Sequence, residues 1–347
     1  MAQTATSQPP FRFAMLGVWH PHATGIVRQI GLHPQEFQLV GCWDSDSQLL
    51  SRQKQAWSEF LPDLPTYGTA KELLAQPLDG VIVEGRVSEN IEGANLAVDA
   101  GLPVLLEKPA GVSLPDFEAL LSKARAKNLH VQMLYLFRYM SAVQEMFRLT
   151  RDERFGDIYL FRARMPKDLR LYESFVEDLG EYAGGIFFEM GGHMIDMMYH
   201  ILGPARKIIP LQRHHHAEPG EFIDNGVAMF EFERAVGIVE VTALEFVPDM
   251  RRFEVFGTTG GCVIPNLGSG HLANQPTQPI EVFEQNSTAW TRHDLPAAVL
   301  QIRDLREFVA VVRGEKTPTT TQHDLQVQQW SCCSWLQECS RDACHRA

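Results

Sequence analysis

Long apolar runs are missing from this 347-residue chain. No stretch approaches the roughly 18 residues that a bilayer-spanning helix needs. The opening MAQTATSQPP carries no apolar core of the kind a secretory signal has. A cytoplasmic location with no membrane partner is therefore expected. Positive charge is also short: 31 Lys and Arg face 43 Asp and Glu, for a net charge of -12. A phosphate backbone demands clustered cations, so nucleic acid is excluded as a partner and a small polar molecule is expected. Paired CxxC spacing is absent. The six Cys are Cys42, Cys262, Cys332, Cys333, Cys339 and Cys344, four of them crowded near the C-terminus. That spacing speaks against a thiolate zinc site and for reduced, structural thiols. There is no internal repeat and no low-complexity tract.

What the chain does have is ordinary globular usage, 45% hydrophobic and 21% charged, over about twice the length of one domain. A polar leader over residues 1–10 is expected to be flexible. Phe11 to Leu16 then reads as a strand stopping at Gly17, with a helix from about Pro21 to Ile30. Gln38 to Trp43 is the second strand, a short segment near Thr66 the third, Val81 to Val83 the fourth and Val104 to Leu106 the fifth. Ser88 is a candidate cap for a helix whose Ile91, Ala94 and Val98 share a face, and Gly101 ends it. Ser113 opens another helix carrying Leu114, Phe117, Leu120, Leu121 and Ala124 inward. His130 to Leu136 makes a sixth strand. Alternating strands and helices at this spacing imply right-handed crossovers and a doubly wound parallel sheet over residues 11–137.

From about Gly156 the runs lengthen and alternate, as in Ile158 to Arg164, Gly226 to Glu233, Gly237 to Leu244 and Arg252 to Phe256. They predict antiparallel strands of a second, α+β domain over 138–347, closed by helices near Leu300 to Arg313 and Asp324 to Cys339.

Three constellations carry chemistry. Gly17-Val18-Trp19-His20-Pro21-His22 stands where a dinucleotide fold places its phosphate turn, although a GxGxxG pattern would put glycines at 19 and 22. Asp44 ends the second strand, where a carboxylate accepts ribose hydroxyls and repels a 2′-phosphate, which favours NAD over NADP. Glu107-Lys108-Pro109 ends the fifth strand at the carboxyl edge, where a Lys can face a cofactor and exchange a proton with a hydroxyl. The third constellation, GGIFFEMGGHMIDMMYH, spaces Glu189, His193, Asp196 and His200 so that a helix stacks all four on one face. Spacing alone leaves open a metal site, a catalytic stripe and a buried helix with satisfied polar groups.

Taken in order, the strand-turn start, the acidic end of strand two, Glu107-Lys108-Pro109 and the GGxxxExGxHxxD segment resemble the Gfo/Idh/MocA family of oxidoreductases. The similarity runs from about Phe11 to Trp335. It implies an α/β Rossmann domain plus an α+β domain with an open, mostly antiparallel sheet. The implied activity is NAD-dependent hydride transfer to or from a sugar, cyclitol or related polyol. By position, Lys108 and His193 take the catalytic proton-transfer roles, and Glu189 stands where the family has an aspartate. Gly17, Val18, Trp19, His20, His22, Asp44, Glu84, Glu107 and Lys108 fall to the cofactor, and Arg138, Arg164 and Asp196 to the substrate. No metal is assigned. The second domain is expected to bind substrate and to assemble a homodimer or homotetramer. Glycines replaced by Trp19 and His22, together with Glu84-Gly85-Arg86 after strand four, mark a divergent branch. The resemblance leaves two alternatives: a glycoside-cleaving enzyme that uses NAD for transient oxidation, and a cofactor-binding sensor without turnover.

Overall fold

A computed structural model describes residues 8–168, 170, 184–215, 222–245, 251–267, 276–318, 321–332 and 339–340. The chain forms two compact units, one comprising Met1–Leu134 with Gln301–Thr321 and the other Tyr135–Leu300 with Gln322–Ala347.

The first unit alternates strand and helix: β1 (Phe11–Leu16), α1 (His22–Leu32), β2 (Phe37–Trp43), α2 (Ser47–Trp57), α3 (Ala70–Leu74), β3 (Gly80–Val83), α4 (Asn90–Asp99), β4 (Val104–Leu106), α5 (Leu114–Ala126) and β5 (Val131–Met133). The five strands lie in the order β2-β1-β3-β4-β5, all parallel. Every residue of β3, β4 and β5 is buried, as helix-covered parallel strands require. Ser113 caps α5 by accepting the Asp116 amide, and Phe117, Leu120, Leu121 and Ala124 face inward as their spacing predicts. Leu114 is only half-buried.

Three expectations for this unit need correction. The segment near Thr66 makes a single bridge to Cys42, so it is not a sheet strand. Ser88 does not cap α4: the helix begins one residue after Glu89, which makes no side-chain cap bond. The sixth strand shrinks to Val131–Met133, because the chain turns into a 3₁₀ segment at Leu136–Tyr139. The division also differs from the expected 137/138 boundary. Helix α8 (Leu300–Val312), anticipated in the second domain, belongs almost wholly to the first unit. Its Phe308 ring lies 6.0 and 5.8 Å from those of Phe11 and Phe13, and Asp304 accepts a bond from Gln132 at 2.6 Å.

The second unit holds α6 (Ser141–Arg151), β6 (Ile158–Pro166), α7 (Gly185–Leu202), β7 (Lys207–Arg213), β8 (Asn225–Glu231), β9 (Val236–Thr242), β10 (Arg252–Gly257), β11 (Gly260–Ile264), β12 (Thr277–Glu284), β13 (Thr291–Pro296), α9 (Thr321–Cys332) and β14 (Cys339–Ser340). Its nine strands run β13-β12-β11-β10-β6-β9-β8-β7-β14. All pairs are antiparallel except the central β6–β9. Period-two alternation puts Phe161, Ala163, Met165, Ala228, Phe230, Val239 and Val241 on the face that α7 covers. The opposite face leaves Leu211 and Met229 about half exposed. The last helix is described over Thr321–Cys332, and residues 333–338 of its expected span to Cys339 lie outside the described residues. So do residues 1–7 of the leader and the rest of the C-terminal cysteine cluster apart from the backbone of Cys332 and Cys339. Among the described residues Cys42 and Cys262 are free, buried thiols, and no helix is long and apolar enough to cross a membrane.

Candidate active site

The strand order places a topological switch between β1 and β3, since the chain leaves β1 toward β2 and returns on its other side. Ligands of open α/β sheets bind at such a point, outside the carboxyl ends of the strands. A groove is there, lined by Gly17, Asp44, Ser45, Gly85, Glu89 and Glu92 among others. Gly17 has φ +77°, and a Cβ on it would come within 2.4 Å of the Gly85 backbone, so only glycine fits. Asp44 is buried and held from both sides. Its Oδ2 accepts the Val18 amide at 2.8 Å and its Oδ1 the Asp46 amide at 2.8 Å.

The turn itself is built unlike a phosphate cradle. The amides of Trp19 and His20 both donate to the Glu84 carbonyl, at 3.0 and 3.1 Å. The Gly17 amide donates to the Trp43 carbonyl, the Ala23 amide to the His20 carbonyl and the His22 amide to His20 Nδ1 at 3.3 Å, while Pro21 has no N–H. The backbone donors that a glycine-rich turn would aim at a pyrophosphate are thus turned inward. The Arg86 guanidinium borders the turn, 5.4 Å from the Trp19 ring centre.

Beside the turn, the ends of β3 and β4 deliver a buried charged cluster. Glu84 and Glu107 have no exposed surface, and Lys108 is 3% exposed. His22 Nδ1 lies 3.0 Å from Glu107 Oε2. His20 Nδ1 lies 3.6 Å from both Glu84 Oε2 and Glu107 Oε2, and Lys108 Nζ 3.9 Å from Glu107 Oε1. Burial, reinforced by the Glu107 charge, pushes the Glu84 carboxyl up to about 8. Burial opposes ionisation of Glu107 too, but His20, His22 and Lys108 outweigh it and hold that carboxyl well below the usual range. At neutral pH one carboxylate therefore carries the charge and the other a proton.

In the second unit, Gly184 (φ +94°) and Gly185 (φ +46°) open α7, where a Cβ on Gly185 would meet the Ile223 carbonyl. Glu189, His193 and Asp196 are buried along this helix. The His193 ring stacks on Phe137, with centroids 4.5 Å apart and planes 20° from parallel, and meets Tyr135 edge-on. The fourth residue of the stripe departs from expectation, because His200 sits at the solvent edge with its side chain 31% exposed.

Arg138 and Asp196, expected to contact substrate, engage each other instead. Arg138 Nε donates to Asp196 Oδ2 at 3.0 Å, and its Nη2 closes a second contact to Oδ1. His323 Nε2 reaches the same Oδ1 at 2.7 Å, and Asp324 Oδ1 lies 4.0 Å from Arg138. Burial works against the Asp196 charge, yet Arg138, His323 and His200 hold its carboxyl well below the usual range. Burial raises Asp324 to about 6, against the pull of Arg138 and His323, and lowers His200 to about 4. Arg164 is also displaced from the expected role. It projects on the face of the sheet away from α7, paired with Glu245 and 3.6 Å from Glu240. The metal reading of the stripe fares no better. Among the described residues the ligand-type group here joins Asp196 and His200 of α7 to His323 of α9, without Glu189 or His193, and Arg138 already neutralises Asp196. His323 and Asp324 were missed from sequence, being more than 120 residues from Asp196 with no spacing to link them. Glu89 and Glu92 were missed as groove residues.

Residues 143–263 match the model of the GFO/IDH/MocA C-terminal domain. The rhizopine catabolism protein MocA of Rhizobium meliloti is 26% identical over 141 residues, which is 40% of this chain and 43% of that protein. The NAD-dependent scyllo-inositol 2-dehydrogenase of Bacillus subtilis is 24% identical over 271 residues, 73% of each chain. The fold is shared with the myo-inositol 2-dehydrogenase of Lactobacillus plantarum at a TM-score of 0.76 and 21% identity, covering 94% of this chain and 97% of that one. The chain thus spans less than half of the first relative and nearly three quarters of the second.

Proposed function

We propose that this chain, which is similar to the Gfo/Idh/MocA family over residues 143–263, is an NAD-dependent dehydrogenase acting on a CH–OH group of a sugar, cyclitol or related polyol. The observation that carries this reading is the acidic groove at the switch point, where Asp44 is fixed by two backbone amides beside Glu89 and Glu92. Carboxylates there accept ribose hydroxyls and repel a 2′-phosphate, which favours NAD over NADP. The groove fits the adenosine side of the dinucleotide. The inward-turned amides of residues 17–23 make the diphosphate rely on side chains, with Arg86, His20 and His22 the available donors. When bound, NAD supplies the two-electron acceptor or, reduced, the donor.

The chain's own residues handle the proton. Oxidising a carbinol releases a hydroxyl proton, and Lys108 Nζ, nearly buried 3.9 Å from Glu107 Oε1, is assigned to take it when in its neutral amine form. His193, locked by stacking on Phe137, is assigned to the substrate hydroxyl, with Glu189 one helical turn before it as a positioning residue. Arg138 and Asp196 instead hold α7 to the 3₁₀ segment at Leu136–Tyr139. The substrate class follows the inositol dehydrogenase relative. The test is NADH formation from NAD over a panel of inositols, aldoses and amino-polyols. Turnover of at least one, abolished in Lys108→Met, is expected. Binding of NAD with no turnover of any polyol would reject the dehydrogenase reading.

A further inference from the structure

From the cluster beside the turn we infer that His20, His22, Glu84 and Glu107 form a structural site for one divalent transition-metal ion of the zinc class. The inference goes beyond the dehydrogenase reading and does not depend on it.

Geometry is the first argument. One ligand atom from each of His20, His22 and Glu107 lies within 4.8 Å of the other two, and Glu84 adjoins this group at His20. The closest donor separations are 3.0 Å for His22–Glu107, 3.6 Å for His20–Glu107 and 3.6 Å for His20–Glu84. Zinc holds imidazole and carboxylate ligands at roughly 2.0–2.2 Å, so neighbouring ligands on a tetrahedron stand about 3.4 Å apart. The cluster has that spacing before any ion enters. Two imidazoles with two carboxylates is also a donor set that suits zinc, cobalt or nickel over magnesium or calcium.

Charge and hydrogen bonding are the second. His20 Nδ1 accepts the His22 amide at 3.3 Å, so the neutral ring carries its proton on Nε2, and an ion would displace this long bond from Nδ1. That nitrogen faces carboxylate oxygens that also bring only lone pairs unless one is protonated. Glu84 has no exposed surface, and neither of its carboxylate oxygens makes a hydrogen bond. A fully buried carboxyl without a partner is costly whether it is charged or protonated. A cation shared by Glu84 and Glu107 removes that cost. His22, 25% exposed, opens the site to solvent. The ligands come from the turn, the start of α1 and the ends of β3 and β4, so the ion would pin the turn to the sheet edge.

The test titrates zinc alone into the chelator-treated full chain by calorimetry, with no dinucleotide present. A separate titration of cobalt reads visible absorption. One ion per chain, a cobalt spectrum of tetrahedral intensity and a zinc-dependent rise in Tm are expected. Affinity should fall roughly 100-fold in His22→Gln and in Glu107→Gln, and stay unchanged in His200→Gln, which alters the other His-containing cluster. If Glu107→Gln fails to fold, the cobalt spectrum of the unaltered chain and of His22→Gln decides. No binding, binding indifferent to His22→Gln, or binding lost in His200→Gln would each overturn the site.

Discussion

Replacing Asp196 by Asn isolates what the buried pair on α7 does. The substitution keeps the shape and removes the charge, leaving the 5%-exposed Arg138 guanidinium without its two-point partner. Removing one member of a buried ion pair costs about 3–5 kcal/mol, because the survivor stays desolvated and uncompensated. Asp324, 4.0 Å from Arg138, takes up part of the charge, so the lower end, about 3 kcal/mol, is expected. Exchanging both partners for apolar residues of similar volume, as in Arg138→Met with Asp196→Leu, should cost only about 1 kcal/mol, since no unpaired Arg remains. Urea unfolding followed by tryptophan fluorescence measures all the variants, and the difference between single and double gives the coupling. If Asp196→Asn costs less than about 1 kcal/mol, or the double variant is the least stable, the pair is not the structural clamp described here.

Lys108→Met should lower kcat by about 100- to 10,000-fold while NAD affinity changes little, as expected of an acid–base group; an equal loss of NAD affinity would make Lys108 a binding residue instead. Asp324, raised by burial to about 6, is more readily protonated folded than unfolded. It therefore costs stability above about pH 6, and the cost fades as pH falls toward its unfolded value near 4. Asp324→Asn should raise Tm at pH 7.5 and do little at pH 4.5, so equal effects at both would refute the assignment. The exposed Ile209, Leu211, Met229 and Val236 on the outer face of the nine-stranded sheet predict self-association through it. Light scattering should report a dimer or tetramer that Leu211→Glu dissociates, and a monomer at micromolar concentration would refute this.

The architecture was legible because period carries it. Apolar runs such as Val81 to Val83 and Val104 to Leu106 can only be buried parallel strands at that spacing, and the alternation in Ile158 to Arg164 can only be a one-faced strand. What composition could not convey was where helices dock. Leu300–Val312 reads simply as amphipathic, and only the ring contacts of Phe308 tie it to the first sheet. Site positions anchored to strand ends, Gly17, Asp44, Glu107 and Lys108, fall where the sequence places them, since a strand's carboxyl end fixes its next residue in space. Roles that depend on long-range partners were hidden. Arg138 and Asp196 read as polar lining because nothing in the sequence couples them to each other or to His323. The loss of glycines at 19 and 22 was visible, but not that Glu84 would absorb the amides of Trp19 and His20.

The central claim is that the groove holding Asp44, Glu89 and Glu92 takes a dinucleotide without a 2′-phosphate. Paired calorimetric titrations of NAD and NADP into the full chain and into Asp44→Ala test it most directly. NAD should bind the unaltered chain at least about 10-fold tighter than NADP, a difference of roughly 1.4 kcal/mol, and Asp44→Ala should erase most of that gap. NADP binding as tightly as NAD, or a preference for NAD that survives Asp44→Ala intact, would contradict the account.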